Sequence, residues 1–325
     1  MNGQKAHFII ALVRIWCWLA YPRQTIDFRL KIGRWPDPAF PRYRNDKFAW
    51  RKIFDRNPMF TVVSDKLKAK EFARHHCRGL KVARTLWVGN DASQIPDEVL
   101  QGNVIVKGNH GSGWNIVIRD GQYDREELNR QANTWLNRRY GKRHAEWGYY
   151  GVEPKLFVEE MLFEQGQPLA NEYKFYAGSR KIAFAFVRQS GSDGTRIDGV
   201  IDAFGVVHTG QHDNGELSPD IKTPAEYSAL CRTALKLSSQ LDFVRCDLYL
   251  VEGQIYFSEM TLYGAGGYDW ENFAPADEAK IEEQELNQLY SEVWDLRQSW
   301  FMKTPQKGWR KTYALALRTL LDTEE

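Results

Sequence analysis

Apolar residues bunch and alternate along this chain in patterns that predict its elements. Residues 8–20 (FIIALVRIWCWLA) form the longest apolar run and predict a helix. Residues 34–57 are polar and aromatic, and Pro36, Pro38 and Pro41 predict extended or turn structure there. Ser64 stands at an N-cap position before residues 65–76, whose Leu67, Phe72 and Ala73 predict a one-sided helix that Gly79 ends. Residues 81–89 (KVARTLWVG) read as one short strand. Residues 103–107 (NVIVK) and 115–119 (NIVIR) are β-branched runs around a glycine-rich loop and predict a hairpin. Residues 124–139 read as a surface helix, and residues 155–160 (KLFVEE) as a strand ending in two carboxylates. Strands over 172–177 and 181–188 flank Gly178-Ser179, a hairpin-type dipeptide. Pro224 opens a helix running to about Gln240, and residues 243–250 and 254–260 form a strand pair joined by Val251-Glu252-Gly253. Leu286, Leu289, Val293, Leu296 and Trp300 follow a helical stripe, and residues 309–321 predict a last helix.

Length and charge narrow what such a chain does. Its 325 residues allow two lobes with a cleft between them. Lysines and arginines number 44 against 42 acidic residues, a net charge of +2, so nucleic acid held by phosphate neutralisation is not the expected partner. Cys17, Cys77, Cys231 and Cys246 form no CxxC pair and no disulfide framework, which favours a reducing cytoplasm. The run 8–20 is thirteen residues long with Arg14 inside it, too short to span a bilayer. It reads as a core or interface helix, or as a peripheral membrane contact through Phe8, Trp16 and Trp18 beside Arg14 and Arg23.

Two stretches carry candidate chemistry. The loop Gly108-Asn109-His110-Gly111-Ser112-Gly113 is neither a Walker A nor a Rossmann fingerprint, since it joins two strands. Its glycines let backbone N–H groups approach an anion, Ser112 adds a hydroxyl and Lys107 a positive charge, so it reads as a phosphate lid or as a plain glycine-rich turn. Asp247 and Glu259 fall on adjacent strands and share a face if the register pairs them, offering hard oxygens to Mg²⁺. Arg245 shares that face, where it serves a phosphate or oxyanion, or else a plain cross-strand ion network. His75-His76 and His208/His212 lack metal-site spacing, so no zinc site is expected. Nucleophile elbows, HExxH and the kinase motif set are absent.

Taken in order, Ser64-Asp65-Lys66, VIVKGNHGSGWNIVI, FVEEML, EYKFYAG, FVRCDLYLVEGQIYFSEMT and YGAGGY resemble the ATP-grasp enzymes, most closely the TupA-like branch tied to bacterial surface-polysaccharide synthesis. The resemblance covers residues 35–275 and implies an α+β ATP-grasp fold, with ATP held between two mainly antiparallel sheets and helical extensions at both ends. It implies an N-terminal helical segment over 1–33, an N-terminal lobe over 34–101, a lid hairpin and hinge over 102–162, a C-terminal lobe with the metal site over 163–275 and C-terminal helices over 276–325. Lys107 resembles the family's phosphate-binding lysine, with Lys66 an additional one, and residues 108–113, including His110, Gly111, Ser112 and Gly113, resemble the mobile lid. Glu159, Glu160, Met161 and Leu162 resemble the hinge whose backbone reads adenine. Glu172 resembles the ribose-holding acid, with Lys174 counted on the nucleotide side. Asp247 and Glu259 match the metal carboxylates, Thr261 stands where many members carry Asn, and Arg245 matches the arginine near the transferred phosphate.

The reaction so implied is an Mg²⁺- and ATP-dependent joining of a carboxylate to an amine through an acyl phosphate, on a uronic acid or amino acid of a cell-surface glycan. Competing expectations are a glycan kinase on the same fold, with His110 as a base, and a non-catalytic nucleotide-binding partner of polysaccharide machinery.

Overall fold

The computed structural model describes residues 1–163, 171–190, 195–212, 215–268 and 292–323. Helix α1 (Gly3–Ala20) begins at Asn2, whose side chain accepts the Lys5 N–H at 3.0 Å, and buries Ala6, Ile10, Val13 and Cys17 along one face. Helix α2 (Pro22–Ile32) opens on a proline and stops at Gly33, which sits at φ 83°.

Residues 34–57 are not all irregular, as the prolines suggested: helix α3 (Arg44–Ile53) occupies the second half, and most of its polar residues are buried. Arg51 donates to the carbonyls of Leu262 and Phe243 at 2.9 and 2.7 Å and pairs with Asp242 at 2.8 Å. Lys47 donates to the Trp294 carbonyl at 2.8 Å, although burial pushes its pKa down to about 8. A helix this polar reads as solvated until the rest of the chain supplies partners for its cations. Helix α4 (Met59–Ser64) leads into α5 (Lys66–His76), and the cap is Asp65 rather than Ser64: its carboxylate accepts the N–H groups of Leu67 and Lys68 at 3.0 and 3.4 Å.

Residues 81–89 divide into two strands, β1 (Lys81–Val82) and β2 (Thr85–Gly89), which join different sheets. After α6 (Asp97–Leu100) come β3 (Val104–Gly108), β4 (Asn115–Ile118), α7 (Arg125–Leu136) and β5 (Leu156–Glu160). The first sheet is antiparallel in the order β2-β5-β3-β4. Val104, Val106, Ile118, Leu156 and Val158 share a core with Leu128 and Ala132 of α7. Lys107 and Glu159, at the intervening positions of their strands, therefore take the other face.

The second sheet is built from β6 (Asn171–Gly178), β7 (Lys181–Ser190), β8 (Arg196–Asp202) and β9 (Val207–His208), then β12 (Phe243–Val251) and β13 (Gln254–Thr261). Its order is β1-β13-β12-β6-β7-β8-β9, with β1 parallel to β13 and the other pairs antiparallel. A separate ribbon pairs β10 (Gly210–His212) with β11 (Gly215–Leu217). The β6–β7 turn residues are Ser179 and Arg180, at φ 47° and 66°, one position later than the expected dipeptide. Helix α8 (Tyr227–Ser238) buries Leu230, Ala234 and Leu237 in one core with Val244, Cys246 and Leu248 of β12. By alternation, Arg245, Asp247 and Tyr249 face away from α8.

Of the expected C-terminal stripe, Leu286 and Leu289 lie outside the described residues, as does the 275/276 boundary. Leu296 sits in a short 3-10 turn and Trp300 opens α9 (Trp300–Lys303), so these positions do not share one helix. Helix α10 (Gly308–Leu321) returns to α1, with Trp309 4.8 Å from Trp16 between ring centroids. Among the described residues no helix is long and apolar enough to cross a membrane.

Candidate active site

The charged face of the second sheet is set by register. Asp247 is the cross-strand partner of Glu259, and Arg245 that of Thr261, with a bulge just after Asp247. Arg245 Nε and Nη2 donate to the two Asp247 oxygens at 2.7 and 2.6 Å, and Nη2 reaches Glu259 Oε1 at 3.2 Å. The Thr261 hydroxyl donates to the same Glu259 oxygen at 3.2 Å. On β6, Lys174 lies across from Asp247 and pairs with Glu172 at 3.3 Å. Lys66, the first residue of α5, donates to the Gly111 carbonyl of the β3–β4 loop and holds its Nζ 3.5 Å from Glu259 Oε2. One side chain thus ties the loop to the sheet.

Burial penalises the Glu259 carboxylate, but Lys66, Arg245, Lys107 and Lys174 overcome that penalty and hold its pKa at about 2. Asp247 is pushed up to about 6 by burial, against the pull of Arg245. The donors of Asp247, Glu259 and Thr261 are hard oxygens on one face, which fits Mg²⁺, and the surrounding cations fit phosphate oxygens. Among the described residues no three His, Cys, Asp or Glu side chains are grouped to hold a metal ion. An ion here would complete its coordination from phosphate and water, the usual habit of magnesium.

On the first sheet, Lys107 and Lys70 both pair with Glu159, the latter at 2.5 Å. Burial raises the Glu159 pKa and the two ammonium groups more than reverse it, leaving it below its ordinary value. Lys70 was not anticipated; its place one helical turn after Lys66 on α5 is the only signal for it. In the hinge, the Glu160 and Met161 N–H groups are committed to the carbonyls of Arg84 and Asn103, at 3.0 and 3.1 Å. Of the hinge amides from Glu160 to Leu162, only that of Leu162 lacks a backbone acceptor among the described residues.

The loop between β3 and β4 needs its glycines. Gly113 sits at φ 71°, and a Cβ on Gly111 would lie 2.4 Å from the Trp114 ring. His110, however, does not turn toward the charged cluster. It is 3% exposed, with Nδ1 3.0 Å from the Asn109 side-chain oxygen and Nε2 3.0 Å from the Trp135 carbonyl, and burial lowers its pKa. The ring braces the loop from inside.

A cavity of about 230 Å³ brings Lys66, Ser112, Arg245, Glu259 and Thr261 together. Lys107, Glu172, Lys174 and the hinge residues do not line it. Its remaining wall comes from Val63, Ser64 and Ala69 of α4 and α5, from Met260 of β13 with Tyr263, Ala265 and Gly266 after it, and from the irregular stretch 137–155, which the sequence reading passed over. Tyr140, His144, Glu146 and Tyr149 line the cavity from there. Positive φ at Gly141 (79°) and Ala145 (55°) turns the chain sharply, and the Glu146 N–H closes the turn on the Gly141 carbonyl at 2.9 Å. Glu146 is 3% exposed, and burial pushes its pKa up to about 7 against Lys52 and Lys31. Burial and the nearby Lys31, Lys52 and Arg143 bring His144 down to about 4.

The TupA-like ATPgrasp family model matches residues 46–281. No curated protein matches the chain. Among solved structures the chain is similar to a D-alanine–D-alanine ligase from Bacillus anthracis, at 16% identity over 82% of this chain and 72% of that one, TM-score 0.41. It is also similar to the macrocyclase MdnC from Microcystis aeruginosa, bound with precursor peptide MdnA (13%, 74% and 64%, TM-score 0.40). A third is N5-carboxyaminoimidazole synthase from Aspergillus clavatus in complex with ADP and its ribonucleotide (12%, 66% and 50%, TM-score 0.38). The chain spans between 50% and 72% of the length of these three proteins.

Proposed function

Because the chain belongs to the TupA-like ATP-grasp family and has its α+β ATP-grasp fold, we propose that it is an Mg–ATP-dependent ligase that joins a carboxylate to an amine through an acyl phosphate. We assign its acceptor to a cell-surface polysaccharide or its precursor, modified with an amino acid in the cytoplasm. The observation that carries this reading is the meeting of Lys66 at 3.5 Å and Arg245 at 3.2 Å on Glu259, at the wall of a cavity large enough for small reacting groups. Magnesium held by Asp247, Glu259 and Thr261 would supply charge neutralisation at the phosphates. Lys107 and Lys66 draw the phosphate oxygens from the lid side, Gly111 and Gly113 let backbone amides come close, and Arg245 faces the charge that develops at the acceptor carbonyl. With His110 braced by Asn109 and Trp135, the base that a hydroxyl acceptor needs is not that imidazole.

The test is product analysis. With Mg–ATP, glucuronic or galacturonic acid and hydroxylamine, the protein should release ADP and form a hydroxamate. A stable phosphorylated sugar with no released phosphate would make it a kinase, and no ADP from folded protein would make it a nucleotide-binding partner.

The polymer such an enzyme modifies is assembled at a membrane, and we propose a peripheral contact through α1. Its outward face carries Phe8, Leu12, Ile15 and Leu19, all 51–77% exposed and spaced like the buried face behind them. Residues 1–34 and 300–321 hold eleven lysines and arginines against one acidic residue, Asp27, in a chain whose net charge is +2. Such a face attracts anionic lipid and repels a second copy of itself. Full-length protein should float with phosphatidylglycerol-containing vesicles and not with pure phosphatidylcholine, and Leu12→Glu with Leu19→Glu should abolish flotation. Equal behaviour of parent and variant would remove the contact, and dimers without flotation would assign the face to a second copy.

A further inference from the structure

Glu146 is the one buried acid of the cavity whose carboxylate has no assigned work. It is 3% exposed, and its side chain lines the cavity. Its oxygens are not among the sealed polar atoms without a partner; they open on the cavity, where a group that enters can donate to them. The nearest cation, Lys52 of α3, spends its Nζ on the Gly266 carbonyl. Lys31 of α2 also faces this acid, together with the phenols of Tyr140, Tyr149, Tyr150, Tyr263 and Tyr268. Across the cavity Lys66 and Arg245 are engaged with Glu259, so Glu146 is the carboxylate that lies apart from that ion network.

We propose that Glu146 binds the ammonium group of the incoming amine and takes its proton. The proposal rests on the ligase reading and names the other half of that reaction. The turn at Gly141 and Ala145 delivers the carboxylate to the same cavity as Arg245 and Glu259, and the ring faces of Tyr140 and Tyr149 cover the apolar part of an amino compound. One proton passes from the ammonium nitrogen to a Glu146 oxygen. The freed lone pair then forms the C–N bond at the acyl carbon, and the C–O bond to phosphate breaks with its electrons going to the phosphate. The second nitrogen proton leaves with that phosphate, so the amide and hydrogen phosphate are the products. A burial-raised carboxyl is suited to this work near neutral pH.

The experiment compares two nucleophiles in the full chain, with Mg–ATP and glucuronate as the carboxylate. Hydroxylamine is neutral near pH 7 and needs no base; glycine, alanine, glutamate and lysine carry their amines as ammonium groups and do. Glu146→Gln should keep hydroxamate formation within about twofold and lose amide formation by about a hundredfold or more. Glu146→Asp, which retracts the carboxylate by one methylene, should fall between the two. Equal loss of both products in folded protein would make Glu146 a structural support for Lys52 and overturn the proposal, as would retention of both. If the unsubstituted protein makes no hydroxamate, the ligase reading itself fails and the amine site falls with it.

Discussion

The two walls of the cavity are made in different ways. One is strand-borne: Arg245, Glu259 and Thr261 line it from β12 and β13, with Asp247 buried behind Arg245, and alternation and register fix which side chains share a face. The other is loop-borne: Glu146 and its neighbours reach the cavity through two residues with positive φ and a short turn. The strand wall is also paired without substrate, since Arg245 binds Asp247 with two nitrogens and Glu259 is met by Arg245, Thr261 and Lys66. Glu146 is buried, with its pKa pushed up by that burial against Lys52 and Lys31, and it opens on the cavity. The difference suggests a division of labour, with one wall prepared for phosphate and metal and the other for a group that arrives with substrate.

The largest expected effect comes from the strand wall. Glu259→Gln removes the negative pole to which the cations are directed and should lower ATP-dependent hydroxamate formation by about 10²–10³-fold, with the fold retained by circular dichroism. Activity within a few-fold of the parent would show that the two walls are not specialised in this way.

Glu146→Gln should next separate them through stability. The ordinary glutamate pKa is 4.5 and burial places that of Glu146 at about 7. Below pH 4.5 both folded and unfolded chains carry the proton and the substitution changes little. Between pH 4.5 and 7 the unfolded chain ionises first, so folding weakens as pH rises. The variant should therefore match the parent near pH 4.5 and melt higher at pH 8, by on the order of a few degrees. A constant Tm difference across that range would contradict a burial-raised carboxyl.

The smallest effect on chemistry belongs to His110. Replacing it with Asn removes the bond to the Trp135 carbonyl and should destabilise the fold by about 1 kcal/mol, while hydroxamate formation stays within about twofold. A large loss of activity without loss of stability would return His110 to the reacting groups.

What could be read from the sequence follows the same division. The hairpin around Lys107 and the pairing of Asp247 with Glu259 were readable because period-two alternation survives in the residue string, even across the bulge after Asp247. Helix α3 was not, because its buried Arg51 and Lys47 look like solvent-facing charges until Asp242, Leu262 and Trp294 arrive from far along the chain. Glu146 had no pattern at all: its position depends on backbone angles at Gly141 and Ala145 that no side-chain periodicity records. His110, among glycines, reads as a phosphate or substrate contact or as a plain loop histidine, and the loop folds it inward onto the Trp135 carbonyl. Strand β8 and the β10–β11 ribbon were also passed over, since residues 196–217 mix glycines and charges with few apolar positions.

The central claim is that the strand wall with Lys107 holds Mg–ATP and the loop wall does not. Calorimetric titration of the full chain with Mg–ATP tests it without knowledge of the acceptor. The account predicts a single binding event that Lys107→Ala weakens by about tenfold or more and Glu146→Gln leaves unchanged. No heat from folded protein, or equal weakening by both substitutions, would contradict it.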